Sequence, residues 1–315
     1  MAHRKRGLVA GVLFLAVALT PVAAASGPFE DVLDAYDSGD YATALRLWRP
    51  LAEQGLAKAQ YNLGLMYNNG QGVPQDYVQA LKWYRLAAEQ GHAGAQNNLG
   101  LMYDNGQGVP QDYVQALKWF RLAAEQGHAV AQYNLGFLYG ESQGFPPDAA
   151  EAAKWYQLAA EQGHANAQYH LGRMYYLGAG GVPQDLAEAI TLYRKAAEQS
   201  DALAQTTLGV MYRQGQGGVT QDYVEALKWY RLAAEEGHAN AQYVIGEMYT
   251  KGQGVPQNYV QAHMWFNLAA ARLFPSEDPE AGQARDWVAA RMIPAEIAEA
   301  QKLAREWKPS GKQAD

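Results

Sequence analysis

Four histidines, a glycine-flanked serine and a row of aspartates are the residues of this chain whose types suit chemistry. His92, His128, His164 and His238 recur at near-constant spacing. Such a set would hold a metal only if its members converged, because ligand atoms must lie about 2 Å from one ion. Equivalent residues of stacked helices stand roughly 8–10 Å apart, so the histidines read as junction residues. Gly140-Glu141-Ser142-Gln143-Gly144 matches the G-x-S-x-G pattern of a hydrolase nucleophile. That pattern works on a sharp strand-to-helix turn. Here it occupies a helix-to-helix loop whose counterpart is Asn68-Asn69-Gly70-Gln71-Gly72, so no nucleophile is assigned. Asp76, Asp112 and Asp148 each precede a helical run and are explained as N-caps. Phosphate loops, H-E-x-x-H and dinucleotide fingerprints are missing from the sequence. The chain reads as a non-enzyme, with no catalytic residue, cofactor or metal expected.

The elements that position these residues repeat. One aligned position runs Leu47, Trp83, Trp119, Trp155, Leu192, Trp229, Trp265. Its spacings are 36, 36, 36, 37, 37 and 36, and each 37 comes from one extra glycine, in Gly180-Gly181 and Gly217-Gly218. A repeat of this length with helical patterning predicts an all-α solenoid of helix pairs. In one unit, Ala57, Ala59, Leu63, Met66 and Tyr67 lie at helical spacing over residues 57–69. Gly70 sits where a left-handed C-terminal residue is wanted. Asp76 caps the second helix, with Gln79 in a capping-box relation, and that helix runs from Tyr77 to Gln90 before Gly91. Ala59, Gly64, Ala80, Ala87 and Ala88 allow close helix approach, while Trp83 and Tyr84 fill the gaps between units. Ser142 replaces a turn glycine, Asn258 a capping aspartate and Ser200 a terminal glycine. The glutamine at Gln60, Gln96, Gln132, Gln168, Gln205 and Gln242 is invariant, which predicts a hydrogen-bond ladder between units, since buried amides need partners.

The strings Ala59-Gln60-Tyr61-Asn62-Leu63-Gly64-Leu65-Met66-Tyr67, Gly70-Gln71-Gly72-Val73-Pro74-Gln75-Asp76-Tyr77 and Ala87-Ala88-Glu89-Gln90-Gly91 resemble a Sel1-like repeat. That family is related to the tetratricopeptide repeats, with a longer loop between its helices. The resemblance covers about residues 57–272 in six units, starting near 57, 93, 129, 165, 202 and 239. Residues 29–55 look like a degenerate first unit with a short turn, Asp37-Ser38-Gly39-Asp40. The resemblance implies a right-handed α/α superhelix acting as an adaptor or regulator that binds protein. A cysteine-rich branch of the family is linked to β-lactam binding. This chain has no cysteine and departs from that branch, so the activity is not carried over.

Copies within the chain locate a working surface. On the first helix, taken at 100° per residue, the invariant or nearly invariant positions 59, 60, 63, 64, 66 and 67 fall on one face. Variable positions 58, 61, 62, 65, 68 and 69 fall on the other, which in such a stack is expected to line a concave groove. In order of units, that stripe carries Tyr61, Asn62 and Leu65, then Asn97, Asn98 and Leu101, then Tyr133, Asn134 and Phe137. It continues with Tyr169, His170, Arg173 and Tyr176, then Thr206, Thr207, Val210 and Arg213, and ends with Tyr243, Val244 and Glu247. Tyrosine and arginine are enriched at binding hot spots, so a protein or peptide partner is expected in the groove. Tyrosines and amides also suit sugars, so a cell-wall glycan is the alternative partner. For any single tyrosine, merely covering the next unit remains an alternative.

The ends read differently. His3-Arg4-Lys5-Arg6, the apolar run Gly7 to Thr20 and Ala23-Ala24-Ala25 fit a Sec-type signal peptide over residues 1–25, cleaved before Ser26. The run falls short of the ~20 residues that span a bilayer. Cleavage removes Arg4, Lys5 and Arg6 and no acid, taking the net charge from −7 to −10. That acidity argues against nucleic acid as a partner. A periplasmic or secreted protein without a membrane span is expected. Residues 273–307 read as a helical cap, with Glu296, Glu299, Lys302, Arg305 and Glu306 on its polar side, and residues 308–315 as a disordered tail.

Overall fold

The computed structural model describes residues 28–141, 146–272 and 280–308. Among these residues there are sixteen helices and no strand. The degenerate first pair is α1 (Pro28–Asp37) and α2 (Tyr41–Glu53). Three full units follow: α3 (Ala57–Asn69) with α4 (Tyr77–Glu89), α5 (Ala93–Asn105) with α6 (Tyr113–Glu125), and α7 (Ala129–Glu141) with α8 (Ala149–Glu161). The next three are α9 (Ala165–Leu177) with α10 (Leu186–Glu198), α11 (Ala202–Gln214) with α12 (Tyr223–Glu235), and α13 (Ala239–Lys251) with α14 (Tyr259–Arg272). The chain closes with α15 (Glu280–Ala289) and α16 (Pro294–Glu306). The main contacts join consecutive helices, and α14 packs against both α15 and α16. This is the solenoid of helix pairs that the spacing requires.

The helix ends are set by the expected residues. Asp76 Oδ1 accepts from the Val78 and Gln79 amides at 2.9 and 3.0 Å, and Asp112, Asp148, Asp185 and Asp222 cap their helices likewise. Asn258 does so through the Gln261 amide at 3.0 Å. The reciprocal half of the capping box fails, however. The Asp76 amide donates to Tyr67 O at 2.9 Å, so it is already committed and leaves the Gln79 side chain nothing to accept. Gly70 closes α3 at φ 69°. Ser200 stands at φ 66° where other units end on glycine, and is the single non-glycine residue at positive φ among the described residues.

Packing within a unit depends on a helix glycine. A methyl group at Gly64 would fall 2.6 Å from the Tyr84 ring, and Gly100 stands in the same relation to Phe120. Tyr84 therefore lies flat on its own unit's first helix, and it also shares a buried cluster with Ala95, Leu99 and Met102 of the next. Trp83 reaches back to the preceding cluster of Trp48, Leu63 and Met66. Neither cluster closes without its neighbour, so stability accrues by stacking. At the C-terminal end, Trp307 meets Trp265 edge-on at 5.9 Å. Ala300 and Ala304 are buried, while the polar side named from the sequence, Glu296 to Glu306, is exposed. The signal segment, Ser142, the boundary at 273–279 and residues 309–315 lie outside the described residues.

Candidate functional site

The seam between units fixes the first helices. Each invariant glutamine is buried and donates to a carbonyl of the preceding second helix, as Gln60 Nε2 does to Ala52 O at 3.1 Å. It then accepts from the glutamine that ends its own unit: Gln90 to Gln60, Gln126 to Gln96 and Gln162 to Gln132 at 2.7 Å, and Gln199 to Gln168 at 2.8 Å. The ladder expected from invariance is present. Its last two rungs are broken, since Gln205 Oε1 and Gln242 Oε1 have no hydrogen-bond partner. The donor position holds Glu236 in one case and Arg272 in the other, and Arg272 instead reaches Gly237 O at 3.0 Å.

Three of the four histidines are side-chain caps, which the sequence reading missed; His238 makes no such bond. Nδ1 of His92 and His128 accepts from the Ala95 and Ala131 amides at 3.2 Å, and His164 Nδ1 from Ala167 at 3.3 Å. Asp201 occupies the same place and accepts from Ala204 at 2.7 Å. That exchange of histidine for aspartate at one junction was the available signal. Burial holds His92, His128, His164 and His238 below the usual imidazole range, which keeps Nδ1 of the first three free to accept.

With the first helices fixed, the variable stripe divides into rows. In the row nearest the seam, two tyrosines cover the next unit's cap and two lie on a ring of their own unit's second helix. Tyr61 stacks on His92 at 4.6 Å and Tyr133 on His164 at 4.8 Å. Tyr169 tilts on Tyr193 at 5.7 Å and Tyr243 on Phe266 at 5.4 Å. All four tyrosines are half-buried. Asn97 and Thr206 depart from the expected groove lining, being only 4% and 9% exposed. Thr206 is drawn in by hydrogen bonds to Ala202 O at 2.7 Å and to His238 Nδ1 at 3.3 Å. Asn97 is held between Asn98 and Asn134, at 3.2 and 2.9 Å.

The outer rows differ from unit to unit. Asn62, Asn98, Leu65 and Leu101 are half-buried, and Asn62 spends its amide on Lys58 O at 2.8 Å. In the third and fourth units Phe137 is 42% exposed and Arg173 is exposed. His170 stacks on Tyr156 at 5.1 Å between them. Tyr176 is half-buried. Further on, Glu247 accepts from Arg213 at 3.0 Å and from Lys251 at 2.9 Å. Burial raises the Glu247 carboxyl, but these two cations outweigh it and hold the group below the usual range. The sequence reading also missed Trp287. It lines a depression of about 520 Å³ with Tyr243, Glu247 and Gln283, and the Arg291 guanidinium lies 3.4 Å over its ring. Among the described residues no group of three His, Asp or Glu side chains is placed to hold a metal. No helix there is long and apolar enough to cross a membrane.

The same repeat recurs in known sequences. The profile of the Sel1 repeat matches residues 57–92, 93–128, 129–164, 165–201, 202–238 and 239–272, unit for unit with the helix pairs. The chain belongs to the Sel1 repeat family. A solved Sel1 repeat protein from Oxalobacter formigenes is 35% identical, with TM-score 0.70, covering 78% of this chain and 97% of that one. A protective antigen present in uropathogenic Escherichia coli strains, displaying an SLR fold, is 32% identical with TM-score 0.56, covering 88% and 67%. Curated protein sequences offer no match to the chain. Sel1 repeat proteins generally serve as protein–protein interaction scaffolds, and their fold is typically non-enzymatic.

Proposed function

We propose that this Sel1 repeat protein is a non-enzymatic scaffold of a bacterial envelope that holds a protein segment along the variable face of its first helices. The observation that carries this is the division of labour on those helices. Buried positions repeat from copy to copy, while the outer rows change from amides to aromatic and cationic groups to an ion-paired triad. The constant positions hold the stack together, so the varying ones change what each unit offers a partner without disturbing the fold. The envelope assignment rests on the leader-like residues 1–25.

The test replaces Phe137, Arg173 and Leu177, which are exposed and cap nothing. Phe137→Ser, Arg173→Ala and Leu177→Ser together should abolish partner capture from envelope extract and leave the melting temperature unchanged. Undiminished capture by the folded variant refutes the surface. Expression with its leader should give a mature chain beginning at Ser26; an uncut chain in the cytoplasm refutes the location.

A further inference from the structure

The junction of the third and fourth units is where the copies diverge most usefully. The second helix begins with Tyr77, Tyr113, Tyr223 or Tyr259 in four units and Leu186 in another, but with Ala149 in the third. Elsewhere that tyrosine packs into the inter-unit cluster, as Tyr77 does beside Met102. The cluster of the third unit has Met174 at its margin and gains nothing from Ala149. A second deletion faces the first. The twelfth residue of the first helix is Asn68, Asp104, Tyr176, Arg213 or Thr250 in other units, and Gly140 here. A side chain starting at Gly140 would meet only Ala152 and Tyr156, both at 3.7 Å. The site is therefore empty by sequence and not by crowding.

The two truncations leave a cleft of about 140 Å³ whose lining includes Gly140, Ala149, Tyr156, His170, Arg173 and Met174. Small-molecule and cofactor sites run from about 300 Å³ upward. This volume accepts one side chain. Its base is aliphatic and its wall is the stacked pair Tyr156 and His170. The base is also fixed, because Gly180 of the next loop packs directly on Ala149 O and the Met174 methyl. At the rim stands Arg173, exposed and without an ion pair or hydrogen bond among the described residues. Its counterparts are Leu65, Leu101, Phe137, Val210 and Glu247. Beside it Leu177 is 58% exposed, where other units carry Asn69, Asn105, Glu141, Gln214 or Lys251.

Charge selects the occupant. The chain carries net charge −7, yet its six first helices hold Lys58, Arg173, Arg213 and Lys251 against Asp104, Glu141 and Glu247. Arg213 and Lys251 are spent on Glu247, so a carboxylate repelled by the acidic chain is drawn to Arg173, and arginine pairs with carboxylate through two parallel hydrogen bonds. We infer that the Gly140–Ala149 cleft is an anchor pocket for one apolar side chain, leucine-sized, followed in a partner peptide by an acidic residue held by Arg173. This rests on the scaffold reading above and names the partner's chemistry.

The experiment uses the full chain labelled at methionine methyl groups, with the Met174 signal assigned by Met174→Leu. Three blocked hexapeptides are titrated, each glycine–serine flanked, with leucine–glutamate, leucine–glutamine or alanine–glutamate at the centre. Leucine–glutamate should shift the Met174 methyl at concentrations about tenfold lower than either of the others. Ala149→Tyr restores the residue that four other units already accommodate, so it fills the cleft in a folded protein and should abolish the shift. Arg173→Gln should erase the preference for glutamate over glutamine and keep the leucine requirement. Equal response to glutamate and glutamine peptides, or a shift surviving Ala149→Tyr, overturns the assignment. So does equal binding of free 4-methylpentanoate, which would assign the cleft to small acids. Partner capture lost in the triple groove variant but retained in Ala149→Tyr sinks the pocket alone and leaves the scaffold standing.

Discussion

Replacing Glu236 by glutamine should stabilise this protein, although it adds nothing to the core. In four units the glutamine that ends the second helix donates to the invariant buried glutamine, at 2.7–2.8 Å. Glu236 takes that position in the fifth unit, and a carboxylate only accepts. Gln205 Oε1 is consequently left without a donor in a residue 2% exposed. An unsatisfied buried acceptor costs about 1–3 kcal/mol. Glu236 itself is exposed, so holding a glutamine there gives back part of the gain. The expected net is about 1 kcal/mol, which raises the melting temperature of a chain this long by roughly 1.5–2 °C. Calorimetry and urea melts measure it. Removing a negative charge from an acidic chain, next to a helix C-terminus, also stabilises. The cycle with Gln205→Leu separates the two effects, because only the hydrogen bond needs Gln205. Should Glu236→Gln gain as much in the Gln205→Leu background as in the parent, the ladder argument is refuted. The converse change, Gln199→Glu, should orphan Gln168 and cost a similar amount.

Three further outcomes follow from the seams. Ser200→Gly removes a left-handed strain of about 1 kcal/mol and should raise the urea midpoint, whereas no change would mean the turn is unstrained. Gly64→Ala drives a methyl into the Tyr84 ring and should cost about 1–3 kcal/mol by overpacking; a neutral result would show that the helices can separate freely. The histidine caps are held below their unfolded range by burial, so the folded chain binds fewer protons than the unfolded one. Their stabilisation is complete above about pH 6.5 and is lost as pH falls through the depressed folded values. Urea midpoints should therefore drop from pH 7.5 to pH 5, and less so with His92, His128 and His164 all changed to Asn. An unchanged pH slope in that variant would remove the caps as its cause.

Much of this protein was decided locally. The 36-residue period, the caps at Asp76 and its counterparts, the turn at Gly70 and the buried face through Ala59, Leu63 and Met66 are legible because each depends on residues within one or two helical turns. Counting copies even separated the conserved side of the first helix from the variable one. What a single unit cannot express is which side chains of different units meet. Tyr61 and His92 are 31 residues apart, Asn97 and Asn134 37, and Thr206 and His238 32. Only the stacking register brings them together, and that register is held by the invariant glutamines that bond the preceding second helix, as Gln60 does at Ala52 O and Gln96 at Ala88 O. Stacking therefore decided that Tyr61 and Tyr133 cover caps, that Asn97 and Thr206 lie beneath the surface, and that Gly140 and Ala149 face one another across a cleft. A periodic sequence specifies its unit through local bonds, but a missing side chain becomes a cavity only when the neighbour that would have touched it is in place.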